Sequence, residues 1–244
     1  MSEQDSPATF LIDPGMTQQP TDGSLPVSVI ISTYNSPAHL EKCLTGFLAQ
    51  DWPDFEILVA DDGSTGETRE LVESISRHAP FPVLHFWQPD EGFRKPAILN
   101  KAIKSAQTEY LLFTDGDCIP RKDFVRVHAT GATVDRFLSA GVEYLSATAT
   151  TELPLEAILD QSLFDPRWIR NHRERPRRFG KVNHNPVVQL LAKWTSFTRP
   201  TFNGHNVSAW KSDILAANGF DERMKYGGLD RELGERLVTR GLRG

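Results

Sequence analysis

The stretch Tyr110-Leu111-Leu112-Phe113-Thr114-Asp115-Gly116-Asp117 decides the fold, because an apolar run stops abruptly at two carboxylates held apart by one glycine. Such a run, bounded by turn chemistry, predicts a short, fully buried strand of a parallel sheet. Asp115 and Asp117 then lie just past the C-terminal end of that strand, the edge at which doubly wound α/β sheets bind ligands. Carboxylates this close repel each other unless a cation lies between them, and hard oxygen donors suit Mg²⁺ or Mn²⁺ shared with substrate phosphates. The pair is weak by itself. A chain of this length holds on the order of one Asp-x-Asp by chance, and a solvated turn after a strand has the same spelling. An EF-hand loop starting at Asp115 is ruled out, since its fifth position would be Ile119.

Upstream, the chain alternates strands and helices. Residues 27–31 predict a strand, followed by Ser36-Pro37 as cap and first helical position and by Leu40, Cys43, Leu44, Phe47 and Leu48 at helical spacing. Residues 55–60 predict a second strand ending at Asp61-Asp62-Gly63-Ser64, before a helix that carries Leu71, Val72 and Ile75. A third strand at 83–87 and a third helix from Pro96 to about Ser105 lead to the strand at 110–114. This alternation implies right-handed βαβ crossovers and a single Rossmann-like α/β domain, a mostly parallel three-layer sheet. Three polar clusters, Ser32-Thr33-Tyr34-Asn35, Asp61-Asp62 and Asp115-Gly116-Asp117, each follow a different strand. Parallel strands bring those ends to one edge, and that convergence raises the Asp-x-Asp above coincidence.

The C-terminal half is less regular. Residues 136–145 predict a strand, 153–163 a short helix, and 202–210 a loop running into a strand. Residues 211–218 predict a short helix stopped by Gly219, and a last helix runs from Asp230 to about Arg240 with Leu233, Leu237 and Val238 as its buried stripe. Asp230 and Glu232 fall in its first turn, where the helix dipole also favours negative charge. The basic stretch 167–181, with Arg167, Arg170, Arg173, Arg175, Arg177, Arg178 and Lys181, reads either as a solvated loop or as a patch for an anionic acceptor or membrane head groups.

Composition narrows the function. The 244 residues carry a net charge of −5, which argues against a dedicated nucleic-acid binder. Cys43 and Cys118 are too few for a disulfide framework and point to free thiols in a reducing compartment. No segment has the roughly 18 apolar residues of a membrane span, and the N-terminus lacks the pattern of a signal peptide. A cytoplasmic protein is expected, peripheral to the membrane if the basic stretch binds lipid. Residues 1–25 read as a disordered leader and 26–244 as the domain, in a regular half at 26–135 and a less regular half at 136–244.

Together these motifs resemble a family 2 glycosyltransferase of the GT-A fold. The resemblance rests on residues 27–35, Asp61-Asp62-Gly63-Ser64, Glu91-Gly92-Phe93-Arg94-Lys95, Leu99-Asn100-Lys101-Ala102, Asp115-Gly116-Asp117, Asn218-Gly219-Phe220-Asp221-Glu222 and Gly227-Gly228-Leu229-Asp230, the last being galactosyltransferase-like. It implies inverting, metal-dependent transfer of a sugar from a nucleoside-diphosphate donor, read as a UDP-sugar, to a hydroxyl of a saccharide or lipid-linked acceptor, in surface polysaccharide or glycolipid synthesis. By the resemblance Asp62 meets the base of the nucleotide, Ser32, Thr33 and Tyr34 line its pocket, and Arg94 and Lys95 lie near base or phosphates. Asp115 then meets ribose and metal, Asp117 holds the Mn²⁺ or Mg²⁺, and Asp230 is the general base.

Gly204, His205, Asn206, Gly228, Leu229 and Glu232 are expected on the acceptor side. The chain departs from the family's Gly-Gly-Glu-Asp pattern at Leu229. It also stops at Gly244, where relatives often continue to a further metal ligand, so a C-terminal truncation is expected. A non-catalytic nucleotide-sugar-binding protein is the alternative from another class. A sugar-phosphate nucleotidyltransferase lacks support because no glycine-rich loop follows the first strand, and a dinucleotide oxidoreductase is excluded by the missing Gly-x-Gly-x-x-Gly.

Overall fold

Both faces of the central strands are apolar, so helices must cover the sheet on two sides. In the computed structural model, which describes residues 23–174 and 201–244, β1 (Val27–Thr33), β2 (Phe55–Asp61), β3 (Val83–Trp87) and β4 (Tyr110–Asp115) run parallel. Val27, Val29 and Ile31 enter one core with Ile57, Val59, Tyr110 and Leu112, whereas Ile30 enters the other with Leu58, Leu111 and Phe113. The first core is closed by α1 (Pro37–Leu48), by Val72 of α2 (Gly66–Ser76) and by Val125 and Ala129 from the helix Phe124–Gly131. The second is closed by Ile98, Leu99, Ala102 and Ile103 of α3 (Lys95–Ser105) and by Leu233 and Leu237 of the helix Leu229–Thr239.

With β5 (Leu138–Ser139) and β6 (Val207–Trp210), the strand order is β3-β2-β1-β4-β6-β5, and β6 is antiparallel to both neighbours. The chain steps outward from β1 to β3, then returns past β1 to form β4. Right-handed crossovers put α1 and α2 on one face, and the change of direction puts α3 on the other. The crevice between the C-terminal ends of β1 and β4 is therefore the switch point of the sheet. Because β6 runs the other way, it is the segment before it that arrives at this same edge. Phe113 of β4 packs against Phe202 and Phe220 at ring distances of 5.9 and 6.0 Å, and Phe202 against Phe137 at 5.8 Å. This aromatic cluster fastens the C-terminal half to the sheet.

Three expectations are corrected in the C-terminal half. Val238, expected in the buried stripe of the last helix, is exposed, while Leu233 and Leu237 are buried. Of residues 136–145 only Leu138–Ser139 is a strand, while Arg136 bridges Arg243 and Leu145 bridges Arg173. The helix expected at 153–163 is broken into Leu155–Leu159 and a 3₁₀ turn Ser162–Phe164, because Pro154 holds Leu153 extended and Gln161 takes left-handed backbone at φ 64°. The helices Phe124–Gly131 and Ala147–Glu152 were not expected from the sequence. The second has no apolar stripe, and its signal is the cap, Ser146 Oγ accepting from the Ala149 amide.

At the N-terminal boundary, Leu25 already packs against the first core, and its carbonyl accepts from the Trp52 indole at 3.1 Å. Residues 1–22 of the expected leader, and 175–181 of the basic stretch, lie outside the described residues.

Candidate active site

Register aligns the strand ends. Thr33 pairs with Asp61, Ser32 with Asp115, and Asp61 with Trp87, so β1, β2, β3 and β4 stop at one level. At that level Ser32 Oγ donates to Asp115 Oδ1 at 2.6 Å across the switch point. The Gly116 amide donates to Ser32 O at 2.8 Å, and a Cβ on Gly116 would stand 3.1 Å from that oxygen, so the glycine permits the close approach of the two loops. Thr33 is buried with its Oγ1 unpartnered, whereas Tyr34 is exposed and donates to Asp90 Oδ2 at 2.8 Å. Asn35 joins the β1 and β2 loops, its amide donating to Ser64 Oγ and its Oδ1 accepting from the Thr65 amide.

The two aspartates after β2 do different work. Asp61 is fully buried, with Oδ1 accepting from the Ser64 amide at 2.8 Å and Oδ2 2.9 Å from His85 Nε2. Burial alone would raise its carboxyl, but the His85 ring and Ser64 outweigh that and hold it below its ordinary value. Asp62 is buried and reaches toward the loop after β3: Oδ1 accepts from Gln88 Nε2 at 2.6 Å and Oδ2 from the Arg94 amide at 2.8 Å. Each oxygen keeps a second lone pair. Gln88 and His85 were missed in the sequence, although Gln88 follows β3 just as the other polar clusters follow their strands.

Lys95 opens α3 and reaches Asp115 Oδ1 at 2.6 Å. Burial pushes the Asp115 carboxyl up, but Lys95 and the Ser32 hydroxyl bring it below its ordinary value. Burial likewise favours a neutral Lys95, yet Asp115, with Asp230 and Asp117 behind it, raises the ammonium above its usual range. Asp117 is exposed. Arg94 pairs with Glu91 on the outer side.

The segment before β6 and the start of the last helix complete the edge. His205 O accepts from Thr114 Oγ1 at 3.1 Å, which places Gly204 and His205 beside β4. Asp230 lies on Gly204 so closely that a Cβ there would stand 2.4 Å from Asp230 Oδ1, a buried atom without a hydrogen-bond partner. Burial raises the Asp230 carboxyl and Asp115 adds to it, while Lys95, the Gly204 amide and His205 pull the other way. The net is a carboxyl above its ordinary value. Gly228 sits in left-handed backbone at φ 79° just before the helix.

Three residues expected on the acceptor side are also held by contacts within the chain. Leu229 is 5% exposed and belongs to the second core. Glu232 pairs with Arg236 at 2.6 Å, and that guanidinium also donates to the Ala217 and Gly219 carbonyls. Asn206 Oδ1 is bonded to His128 Nε2 at 2.9 Å and its Nδ2 to Gly141 O at 3.1 Å.

Asp115 and Asp117 are hard oxygen donors one residue apart at a ligand edge, which fits a divalent ion whose other positions come from phosphate and water. No group of three or more His, Cys, Asp or Glu side chains is arranged to hold a metal among the described residues. A cavity of about 470 Å³ lies elsewhere, lined by Asn100, Asp221, Arg223, Glu232 and Arg236 among others. Two ion pairs, Asp221–Arg223 and Glu232–Arg236, line it, and none of the strand-end carboxylates is among its lining residues.

Comparison with known proteins agrees with this architecture. Validoxylamine A glucosyltransferase of Streptomyces hygroscopicus subsp. jinggangensis is 30% identical over 232 residues, covering 88% of this chain and 52% of that protein. The chain thus spans about half the length of this relative. The mannosyltransferase of Pyrobaculum calidifontis, solved with GDP-Man and Mn²⁺, superposes with a TM-score of 0.60 at 20% identity over 93% of this chain and 57% of that one. Staphylococcus aureus TarS 1–349 with UDP-GlcNAc gives 0.59 at 19% identity over 87% and 53%. At such identities the two structures speak to the fold alone. The family described as Glycosyl transferase family 2 matches residues 28–185, more than half of the chain and all of the strand-end clusters after β1, β2 and β4. This protein therefore belongs to glycosyltransferase family 2.

Proposed function

We propose that the chain is an inverting glycosyltransferase that moves a sugar from a nucleoside-diphosphate donor, read as a UDP-sugar, to a hydroxyl of a saccharide or glycoconjugate. The observation that carries this reading is the convergence of Asp115, Lys95 and Asp230 at the switch point, with Asp62 one strand away. Asp62, steadied by Gln88 and the Arg94 amide, accepts from the donor's base with its remaining lone pairs. Ser32, Thr33 and Tyr34 wall the base and ribose, and Arg94 and Lys95 lie toward the phosphates. Asp115 and Asp117 hold a divalent ion, Mn²⁺ or Mg²⁺. When bound, that ion offsets the charge that builds on the departing diphosphate.

Inversion needs a base on the far side of the anomeric carbon. Asp230 fits, because burial raises its proton affinity and Oδ1 has no other partner. Gly204, His205 and Gly228 form the acceptor side around it, Gly204 leaving room for the Asp230 carboxylate itself. Leu229, Asn206 and Glu232 act there by holding backbone rather than by touching the acceptor. The segment 227–230 keeps the galactosyltransferase-like acid with a buried leucine before it.

No helix among the described residues is long and apolar enough to cross a membrane. Arg167 and Arg170 are exposed on the helix Pro166–His172, and with the rest of 167–181 we read them as a contact for an anionic acceptor or for lipid head groups. The role proposed is synthesis of a surface polysaccharide or glycolipid on the cytoplasmic side. Thermal melts with a panel of nucleotide sugars and Mn²⁺, followed by donor hydrolysis, test the reading. One nucleoside-diphosphate sugar is expected to stabilise the protein and be consumed in a Mn²⁺-dependent way. No stabilisation and no hydrolysis with any of them refutes it.

A further inference from the structure

Lys95 is the cation around which the carboxylates of the edge are arranged. Its ammonium hydrogen-bonds Asp115 Oδ1 at 2.6 Å, and the same oxygen accepts from Ser32 Oγ at 2.6 Å, which uses both of its lone pairs. Asp230 and Asp117 act on the same ammonium from further away. The lysine is held in place rather than free in solvent, with 22% of its side chain exposed. Arg94, its neighbour, is turned outward to Glu91 and does not share the task. A divalent ion that binds Asp115 meets a positive charge already in contact with that carboxylate, and like charges this close repel strongly away from bulk water.

Resting on the nucleotide-sugar reading above, we propose that Lys95 is a built-in competitor of the divalent ion for Asp115, and that it makes ion binding depend on the donor. A diphosphate entering the crevice offers the ammonium a second anionic partner. Lys95 then leaves Asp115 Oδ1 for a phosphate oxygen, and the freed oxygen becomes available to the ion. Ion and donor each strengthen the other's binding through one side chain, and by linkage the factor is the same in both directions.

The test is Mn²⁺ titration of the full chain, with and without UDP, followed by the electron paramagnetic resonance signal of free Mn²⁺. Without nucleotide, Lys95→Met is expected to bind Mn²⁺ about tenfold tighter than the parent or more. UDP should improve Mn²⁺ affinity in the parent by a distinctly larger factor than in Lys95→Met. Lys95→Arg keeps the charge and should stay near the parent. Thermal melts check folding, and Lys95→Gln is the second neutral variant should the methionine form misfold. If neither neutral variant gains Mn²⁺ affinity, or if UDP helps parent and variants by the same factor, Lys95 is not a competitor. A parent that binds Mn²⁺ with UDP while the neutral variants gain nothing overturns only this role. A parent that binds neither overturns the donor-site reading as well.

Discussion

One carboxamide closes on both backbone groups of Phe220: Asn100 Oδ1 accepts from the Phe220 amide at 2.8 Å, and Asn100 Nδ2 donates to the Phe220 carbonyl at 2.9 Å. The same Nδ2 lies 3.0 Å from Glu222 Oε1. Gly219 is needed at this junction, because a Cβ there would stand 2.4 Å from Asn100 Oδ1 in a backbone already at φ 64°. Two stretches on which the family resemblance rests, one on α3 and one after β6, are therefore the two halves of a single brace.

Asn100→Ala leaves the buried amide and carbonyl of Phe220 without partners, so stability should fall by roughly 2–4 kcal/mol. Urea denaturation measures it. A loss under about 0.5 kcal/mol would show that the brace is dispensable.

Asp117→Asn should abolish Mn²⁺-dependent binding of a nucleoside diphosphate while leaving the fold intact, since Asp117 is exposed and a neutral amide is a poorer ligand for a hard cation. Calorimetric titration is the check. Unchanged affinity removes Asp117 from the ion site.

Asp62→Ala should weaken nucleoside diphosphate by about 1.5–3 kcal/mol while sparing pyrophosphate with metal, because its partner is the base. Equal losses for both ligands would place Asp62 elsewhere.

Asp230→Asn can still sit on Gly204 but cannot take a proton. Transfer should drop roughly 10²–10⁴-fold with donor affinity kept. Near-parental turnover would leave only a carboxylate at a helix start, stabilising by up to about 1 kcal/mol.

His128 gives a prediction in pH. Its buried ring is neutral, Nδ1 accepting from Ser208 Oγ at 2.7 Å and Nε2 donating to Asn206 Oδ1, and burial lowers its pKa from 6.5 to about 4 against the pull of Asn206. Between those values the unfolded chain binds the extra proton, so stability is lost as pH falls from about 6.5 toward 4, by about 3 kcal/mol in full. Melting curves of the parent and of His128→Gln should converge over that range. Parallel curves would exclude the ring as the titrating group.

The strands were legible because both faces of residues 27–31, 55–60 and 110–114 are apolar, and the rule that ligands meet parallel strands at their C-terminal ends picked out Ser32, Asp62 and Asp115 together. What stayed hidden depends on partners distant in the chain. Nothing near Asn100 announces Phe220, and nothing near Asp61 announces His85. The Glu232–Arg236 pair went unread although four residues is the spacing at which a helix pairs opposite charges. The helix Phe124–Gly131 was missed for a different reason: its 8 residues are too few to display a full apolar stripe.

The antiparallel course of β6 divides the edge by direction of travel. On the proposed reading, donor-side groups sit on loops that leave the sheet, after β1, β2 and β4, while Gly204 and His205 of the acceptor side sit on a segment that enters it, ahead of Val207. If that reading holds, lengthening or replacing chain ahead of Phe202 should alter acceptor choice while Phe113 and Val207 stay paired. Changing acceptors and changing donors would then be separable engineering problems.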